Sequence, residues 1–474
     1  MSSLTILFVA GTCLSFTLTA CHKIATSGIS CPVASTNALV QQRFEWNYKT
    51  LIEPYENAHH TSPKWDEPAK RALTSYAQMR AGENYTVEEG IIETNCDAAI
   101  AAGCDDPIIS YLYVRFSLAH QDISKGALAE SFSRAAQKIN LSSYPDVRKF
   151  WVSVWAAKEA KAAAGSNTPM GVVEFRGMAM ANLTAALSDR SMPPEEVYGD
   201  CDCLFDTLQV NSFELTNWYK FIEIPLFANY DKSLALLVRG EAYIDMAWSS
   251  RGNGYADTVT DAGWTNFEER LGVAEKALDE AWSLNSNQTL IPTAMLTLEL
   301  GQGNGRERME MWFNRAMALD PDNDAACEAK RYYLEPKWYG SSQDMLAFGR
   351  QCVESKAWGG RVPLTLVNAH KALAEYQDES ERPLYWKQPQ VWQDLKAAFT
   401  KYLQTNPNDF IERQEFALYA YRCEQWNELN EQLPSLGKIH FDIFGGKAEF
   451  YKMVRLAKEH AGESNVASAA QSAS

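Results

Sequence analysis

The feature that most constrains this chain is a helix ending that returns at fixed spacing. Leu278, Ala281, Leu284 and Ser286 align with Phe313, Ala316, Leu319 and Pro321 at an offset of 35 residues (278 to 313), and Phe399, Tyr402, Thr405 and Pro407 keep the same internal spacing. In each copy a large apolar residue precedes a closer-packing position by three, which puts both on one helical face. The Ser or Pro that follows, next to Asn or Asp, stops the helix so that the next one folds back. From about Ser62 onward apolar residues recur three and four apart, the period of an amphipathic helix. Start signals fall at Ser62-Pro63, at Thr86-Val87-Glu88-Glu89 with a stop at Gly103, and at Asp106-Pro107. More follow at Tyr144-Pro145, at Pro193-Pro194, and at Thr265-Asn266-Phe267-Glu268, a capping box. Alternating strands joined by hairpin turns are essentially missing. The expectation is an all-α chain.

A helix–turn–helix unit of this length that ends in Ala316-Met317-Ala318-Leu319-Asp320-Pro321 resembles the tetratricopeptide repeat. The resemblance implies an α-α superhelix, a tetratricopeptide-like array of helical hairpins, with earlier helices as degenerate repeats. A second likeness covers Gly305 to Lys371. There Leu334-Glu335-Pro336-Lys337-Trp338-Tyr339-Gly340-Ser341-Ser342, followed by Met345-Leu346-Ala347-Phe348, resembles a bacterial domain family of unknown function found beside such repeats in exported proteins. That family has no established activity, so the likeness implies a helical, non-catalytic role.

The first residues carry a different signal. Leu4 to Ala20 is apolar and uncharged and ends in Leu18-Thr19-Ala20-Cys21, the order of a secretory signal peptide. The run resembles the lipobox of bacterial lipoproteins, although Met1-Ser2-Ser3 lacks the usual basic head. This resemblance implies lipidation of Cys21, a membrane anchor, and a place in the bacterial envelope, at the outer membrane facing the periplasm. The expected layout is a signal peptide at 1–20, a polar tether at 21–37 and an N-terminal helical array at 38–230. The tetratricopeptide-like region follows at 231–460, and an Ala/Ser-rich disordered tail at 461–474. With 44 basic against 60 acidic residues and a net charge of -16, the chain repels phosphate backbones, which argues against nucleic acid as a partner. Eight cysteines lie beyond Cys13 and Cys21. Cys96 and Cys104 are the candidate disulfide, provided the helix between them ends early, since an intact helix separates them by about 12 Å.

Catalytic and metal-binding patterns are missing. The seven histidines are scattered, and no His-Glu-x-x-His, Gly-x-Ser-x-Gly or phosphate-cradling glycine loop occurs. Asp320-Pro321-Asp322-Asn323-Asp324 begins like a calcium loop but has Ala325 and Arg331 where such a loop needs Gly and Glu, so it reads as a repeat turn with an Asx cap. No enzyme activity, metal or cofactor is expected. The chain has 14 Trp, and most, such as Trp312, read as wedges between helices. Trp248, Trp264 and Trp338 sit instead beside Gly-rich turns or a long loop. The connection Gly252–Gly263, with Arg251 and Tyr255, combines aromatics, an Arg fork and flexible backbone, a mixture suited to a ligand or peptide. Five residues are therefore the candidate contacts: Trp248, Arg251, Tyr255, Trp264 and Trp338. The leading reading is an exported, lipid-anchored scaffold for a protein partner. The alternative is glycan or nutrient capture, by architectural likeness to outer-membrane starch-binding lipoproteins.

Overall fold

A computed structural model describes the backbone of residues 37–58, 62–82, 85–121, 123–165, 170–208, 212–252 and 254–472. It describes the side chains of these residues apart from 37–39, 85–87, 170, 206–208, 212–214 and 461–472. Cys21, with the expected leader and tether through residue 36, lies outside the described residues. The described residues form 21 α-helices and no strand. The chain is an all-α superhelix.

The N-terminal hairpins are α1 (Asn37–Asn57), α2 (Asp66–Ala81), α3 (Tyr85–Ala101), α4 (Pro107–Phe116), α5 (Lys125–Asn140), α6 (Asp146–Ala164) and α7 (Met170–Ala186). Their boundaries follow local chemistry. Asp106 caps α4 by accepting the Ile108 and Ile109 N–H groups (2.9 and 3.1 Å), and Pro107 fills the first helical position, where no N–H is needed. The first start signal is displaced: Ser62-Pro63 forms a turn, the Asp66 carboxylate accepts the Ser62 N–H (2.8 Å), and the helix begins only at Asp66.

The chain continues through α8 (Pro194–Leu208), α9 (Ser212–Asn229), α10 (Lys232–Arg251), α11 (Asp261–Leu284), α12 (Leu290–Gln302), α13 (Arg306–Leu319) and α14 (Asp324–Tyr333). It closes with α15 (Ser342–Glu354), α16 (Thr365–Glu375), the short α17 (Arg382–Trp386), α18 (Pro389–Thr405), α19 (Phe410–Arg422), α20 (Trp426–Gln432) and α21 (Lys447–Ser472). The Ala/Ser-rich residues placed in a tail from 461 continue α21, in keeping with the high helix propensity of Ala.

The recurrent endings coincide in space as they do in sequence. Helices α11, α13 and α18 stop at Leu284, Leu319 and Thr405, and the next residues, Asn285, Asp320 and Asn406, each donate their N–H to the carbonyl four residues back. Leu278, Ala281, Phe313, Ala316, Phe399 and Tyr402 are all buried, while Leu284 is exposed. The turn after α13 is the expected Asx arrangement: Asp320 Oδ1 accepts the Asp322 N–H (3.0 Å), and Asn323 Oδ1 accepts the Ala326 N–H (2.8 Å) to start α14.

The core is serial rather than central. Five apolar clusters follow one another along the chain, and adjacent ones share residues at their borders; Tyr198, Phe227 and Tyr243 pack against two clusters at once. Each hairpin buries its face mainly against its chain neighbours, as in a solenoid. Contacts also reach back from the end of the array to its beginning. In the loop before α21, Lys438 forms an ion pair with Glu93 of α3, and the His440 ring lies 5.9 Å from His120, edge to face. The last turns of the array thus sit on its first hairpins.

Candidate functional site

Four of the five expected contact residues meet. Trp248 and Arg251 stand one turn apart at the end of α10; Gly252 (φ +75°) breaks that helix. The connection is shorter than the sequence suggests, because α11 starts at Asp261 and not at the Thr265 box. Thr260 Oγ1 accepts the Gly263 N–H (3.0 Å) and competes successfully as the cap. Trp264 therefore lies in the first turn of a helix, where its ring and that of Phe267 pack edge to face, 5.8 Å apart. Phe267 in turn contacts Trp248 (5.0 Å), and Trp338 closes on Trp248 at 5.7 Å from the turn between α14 and α15.

Arg251 is the centre of this group. Its guanidinium carbon stands 5.7, 5.4 and 5.9 Å from the Trp248, Trp264 and Trp338 ring centres. Each such contact is worth about 0.5–2 kcal/mol depending on desolvation. Nη1 donates to the Gly252 and Gly254 carbonyls (3.1 Å each), so the side chain also holds the loop in shape. Among the described residues no carboxylate pairs with Arg251, and burial lowers its pKa from the ordinary value. The Trp248 and Trp338 indole N–H groups are buried without a protein acceptor. Trp248 itself is core, 8% exposed, and Trp264 and Trp338 are half-buried. Tyr255 is the projecting member, 84% exposed, outside the ring contacts that join the three tryptophans and Phe267. The group offers a part-buried cation and the edges of half-buried aromatic rings to a partner with acceptor oxygens. It offers no nucleophile or general base.

The turn that supplies Trp338 is tightly specified. Glu335 receives Arg331 and Lys337 (2.9 Å each) and the Tyr376 hydroxyl (3.0 Å); Ser341 caps α15. A Cβ on Gly340 would come within 2.7 Å of the Leu334 Cα, so only glycine fits. The wedge reading of Trp312 agrees with its place: it is 3% exposed, edge-on to Trp282 (5.6 Å) and under the Arg315 guanidinium (4.3 Å).

Cys96 and Cys104 share the first core cluster. Helix α3 ends at Ala101, and the Cys104 N–H turns back to the Ala99 carbonyl (3.0 Å). Both are free, buried thiols. Burial pushes the Cys104 thiol up to about 11 and the Cys96 thiol higher still.

Two polar clusters carry no sequence signature. In the first, Glu196 of α8 takes Arg43 (3.4 Å), Arg80 and the Asn47 amide (3.2 Å), while Asp200 accepts the Trp151 indole N–H (2.9 Å). Burial would raise the Glu196 carboxyl, but Arg80, Arg43 and Arg148 outweigh it and hold it at about 2. One turn on, burial and the neighbouring Glu196 charge push Asp200 up to about 8. In the second cluster, His370 bridges the Tyr385 hydroxyl (2.8 Å at Nδ1) and Asp394 (3.2 Å at Nε2), and Arg350 also reaches Asp394 (2.8 Å). Asp394 is pushed up by burial but held at about 2 by its His370 and Arg350 hydrogen bonds. Glu196, Asp200 and His370 are each 1% exposed or less, which places these polar groups inside the packing. No protein-family model matches the chain, and no curated protein matches it.

Proposed function

We propose that the protein is an exported, lipid-anchored scaffold that holds a protein partner against the surface around Arg251. The observation that supports this most directly is the Arg251 cage. A guanidinium without a carboxylate partner among the described residues lies against three tryptophans, near an exposed tyrosine, on a superhelix of stacked hairpins. Stacked hairpins present extended surfaces for partners without reactive side chains, and aromatic residues with Arg are the side chains that dominate the energetics of protein interfaces. Anchoring through Cys21 rests on the Leu18-Thr19-Ala20-Cys21 ending.

Two experiments test the two halves of this reading. Cys21→Ser should release the protein from the membrane fraction or block its processing; a variant that stays membrane-bound and is cut at the same position refutes lipidation. A photo-crosslinking amino acid at Tyr255 should capture one defined protein in intact cells. Arg251→Ala should lower the melting temperature, since it removes three ring contacts and two loop hydrogen bonds, and should abolish that adduct at temperatures where the variant is still folded. Loss of fold in both Arg251→Ala and Trp248→Ala, with no adduct in the parent, would make the cage purely structural.

A further inference from the structure

The C-terminal hairpins form a second, open-mouthed depression of about 530 Å³ between α17, the end of α19, the start of α20 and α21. Small-molecule pockets run from about 300 to 1,000 Å³. Trp386 lines it as a buried residue, 8% exposed, with the Arg422 guanidinium 5.9 Å from its ring. On the other side the Trp426 ring stacks on His460 at 4.4 Å and 17°, and Tyr421 meets Trp426 edge-on at 6.0 Å. Part of the wall is therefore aromatic, beside the apolar Pro383 and Leu456.

Charge sets the orientation of a guest. Arg382 and Arg422 both line the depression, and among the described residues neither forms an ion pair; Arg382 only directs Nε to the Gln377 carbonyl at 3.4 Å. Of the two carboxylates at the rim, Glu424 is held by Lys387 (2.6 Å), and Glu379 is exposed. Two guanidiniums without an ion pair among the described residues thus remain, Arg422 also lying 5.2 Å from the Tyr419 ring centre, in a chain whose net charge is -16. Guanidinium is suited by shape to bidentate capture of a carboxylate.

The backbone at the rim is itself unusual. Glu424 has φ +55°, in the left-handed region, where its N–H meets the Tyr421 carbonyl (3.0 Å) and the Gln425 N–H meets Ala420 (2.8 Å). This is a Schellman ending whose left-handed position normally holds glycine. A glutamate there bears backbone strain of the kind that gathers at ligand sites.

We propose that this depression binds a small free carboxylate carrying a flat ring, the ring lying among Trp386, Trp426 and His460 and the carboxylate on Arg382 and Arg422. Ligand-observed fluorine NMR on the full chain tests it with 4-fluorobenzoate and, as the neutral isostere, 4-fluorobenzamide. Saturable binding of the acid, at least tenfold tighter than the amide, is expected. Arg422→Gln and Arg382→Gln should each weaken the acid about tenfold or more and leave the amide unchanged, whereas Arg251→Gln should change neither. That last variant separates failure here from failure of the Arg251 interface. Where Arg422→Gln lowers the folded fraction, Arg382→Gln and the acid-to-amide ratio decide. Equal affinity for acid and amide, no saturable binding, or acid binding indifferent to Arg382→Gln overturns the proposal.

Discussion

A matched pair of glycine substitutions tests the packing of the array most sharply. Gly349 of α15 and Gly272 of α11 both lie inside helices, so alanine at either should gain about 1 kcal/mol of helix propensity. Their surroundings differ. A Cβ at Gly349 would sit 2.9 Å from the Leu366 Cα and 2.8 Å from its Cδ1, the backbone and side chain of the next helix, while a Cβ at Gly272 would meet nothing within 4 Å. The Leu366 backbone cannot swing aside, so Gly349→Ala carries an overpacking cost of about 1–3 kcal/mol, and the net effect is a loss of about 1 kcal/mol. Gly272→Ala keeps its gain of about 1 kcal/mol. Stacked hairpins open locally, so native-state hydrogen exchange is the suitable assay. The α15–α16 amides should exchange about fivefold faster in Gly349→Ala, and the α11 amides about fivefold slower in Gly272→Ala, since 1 kcal/mol is about a factor of five. If Gly349→Ala protects its helices as Gly272→Ala does, the close approach of α15 to α16 is wrong.

Ala316→Leu, at a fully buried position in the repeat ending, should cost about 1–3 kcal/mol in denaturant titration; an unchanged midpoint would show that α13 is drawn in the wrong register. Glu196→Gln removes the charge that faces Arg43 and Arg80, so it should destabilise by about 3–5 kcal/mol, read by the same titration. For the same reason the parent should lose stability as pH falls from about 4.5 toward 2: the unfolded Glu196 takes up its proton in that window and the folded one does not. His440 is held below its ordinary value of 6.5 by burial first and by the facing His120 and Lys438, with Glu89 and Asp442 opposing. The unfolded imidazole then protonates before the folded one, so the docking of the 436–446 loop is strongest above pH 6.5 and weakens below it. Limited proteolysis of that loop should accelerate on acidification, and His440→Asn should flatten the dependence.

The parts of the structure visible in the sequence are those written in local chemistry. Asp106-Pro107 marks a helix start because a cap and a preset φ need no distant partner. The endings at Leu284, Leu319 and Thr405 are visible because each repeat stops its own helix. The start of α11 is ambiguous in the sequence because Thr260 and Thr265 are both competent caps. Extending the helix back to Asp261 lets Trp264 and Phe267 share a face against Trp248, a tertiary gain that spacing does not show. The cage itself was partly legible, since Trp248, Arg251 and Trp264 are close in sequence and Trp338 stands in a distinctive turn. By contrast, His370, Tyr385 and Asp394 come from three helices with no common period, and Arg43, Arg80 and Glu196 are joined across more than a hundred residues. The C-terminal depression depends likewise on α21 folding back over α19.

The contact of Lys438 and His440 with Glu93 and His120 sets the allowed length of the molecule. An open stack of hairpins has two free ends and can gain or lose a unit with little consequence elsewhere. Here the end of the array must arrive at its beginning, so an inserted or deleted hairpin anywhere between would carry Lys438 past Glu93. The number of hairpins is then tied to the contact between the two ends, as the number of teeth is tied to the rim of a gear.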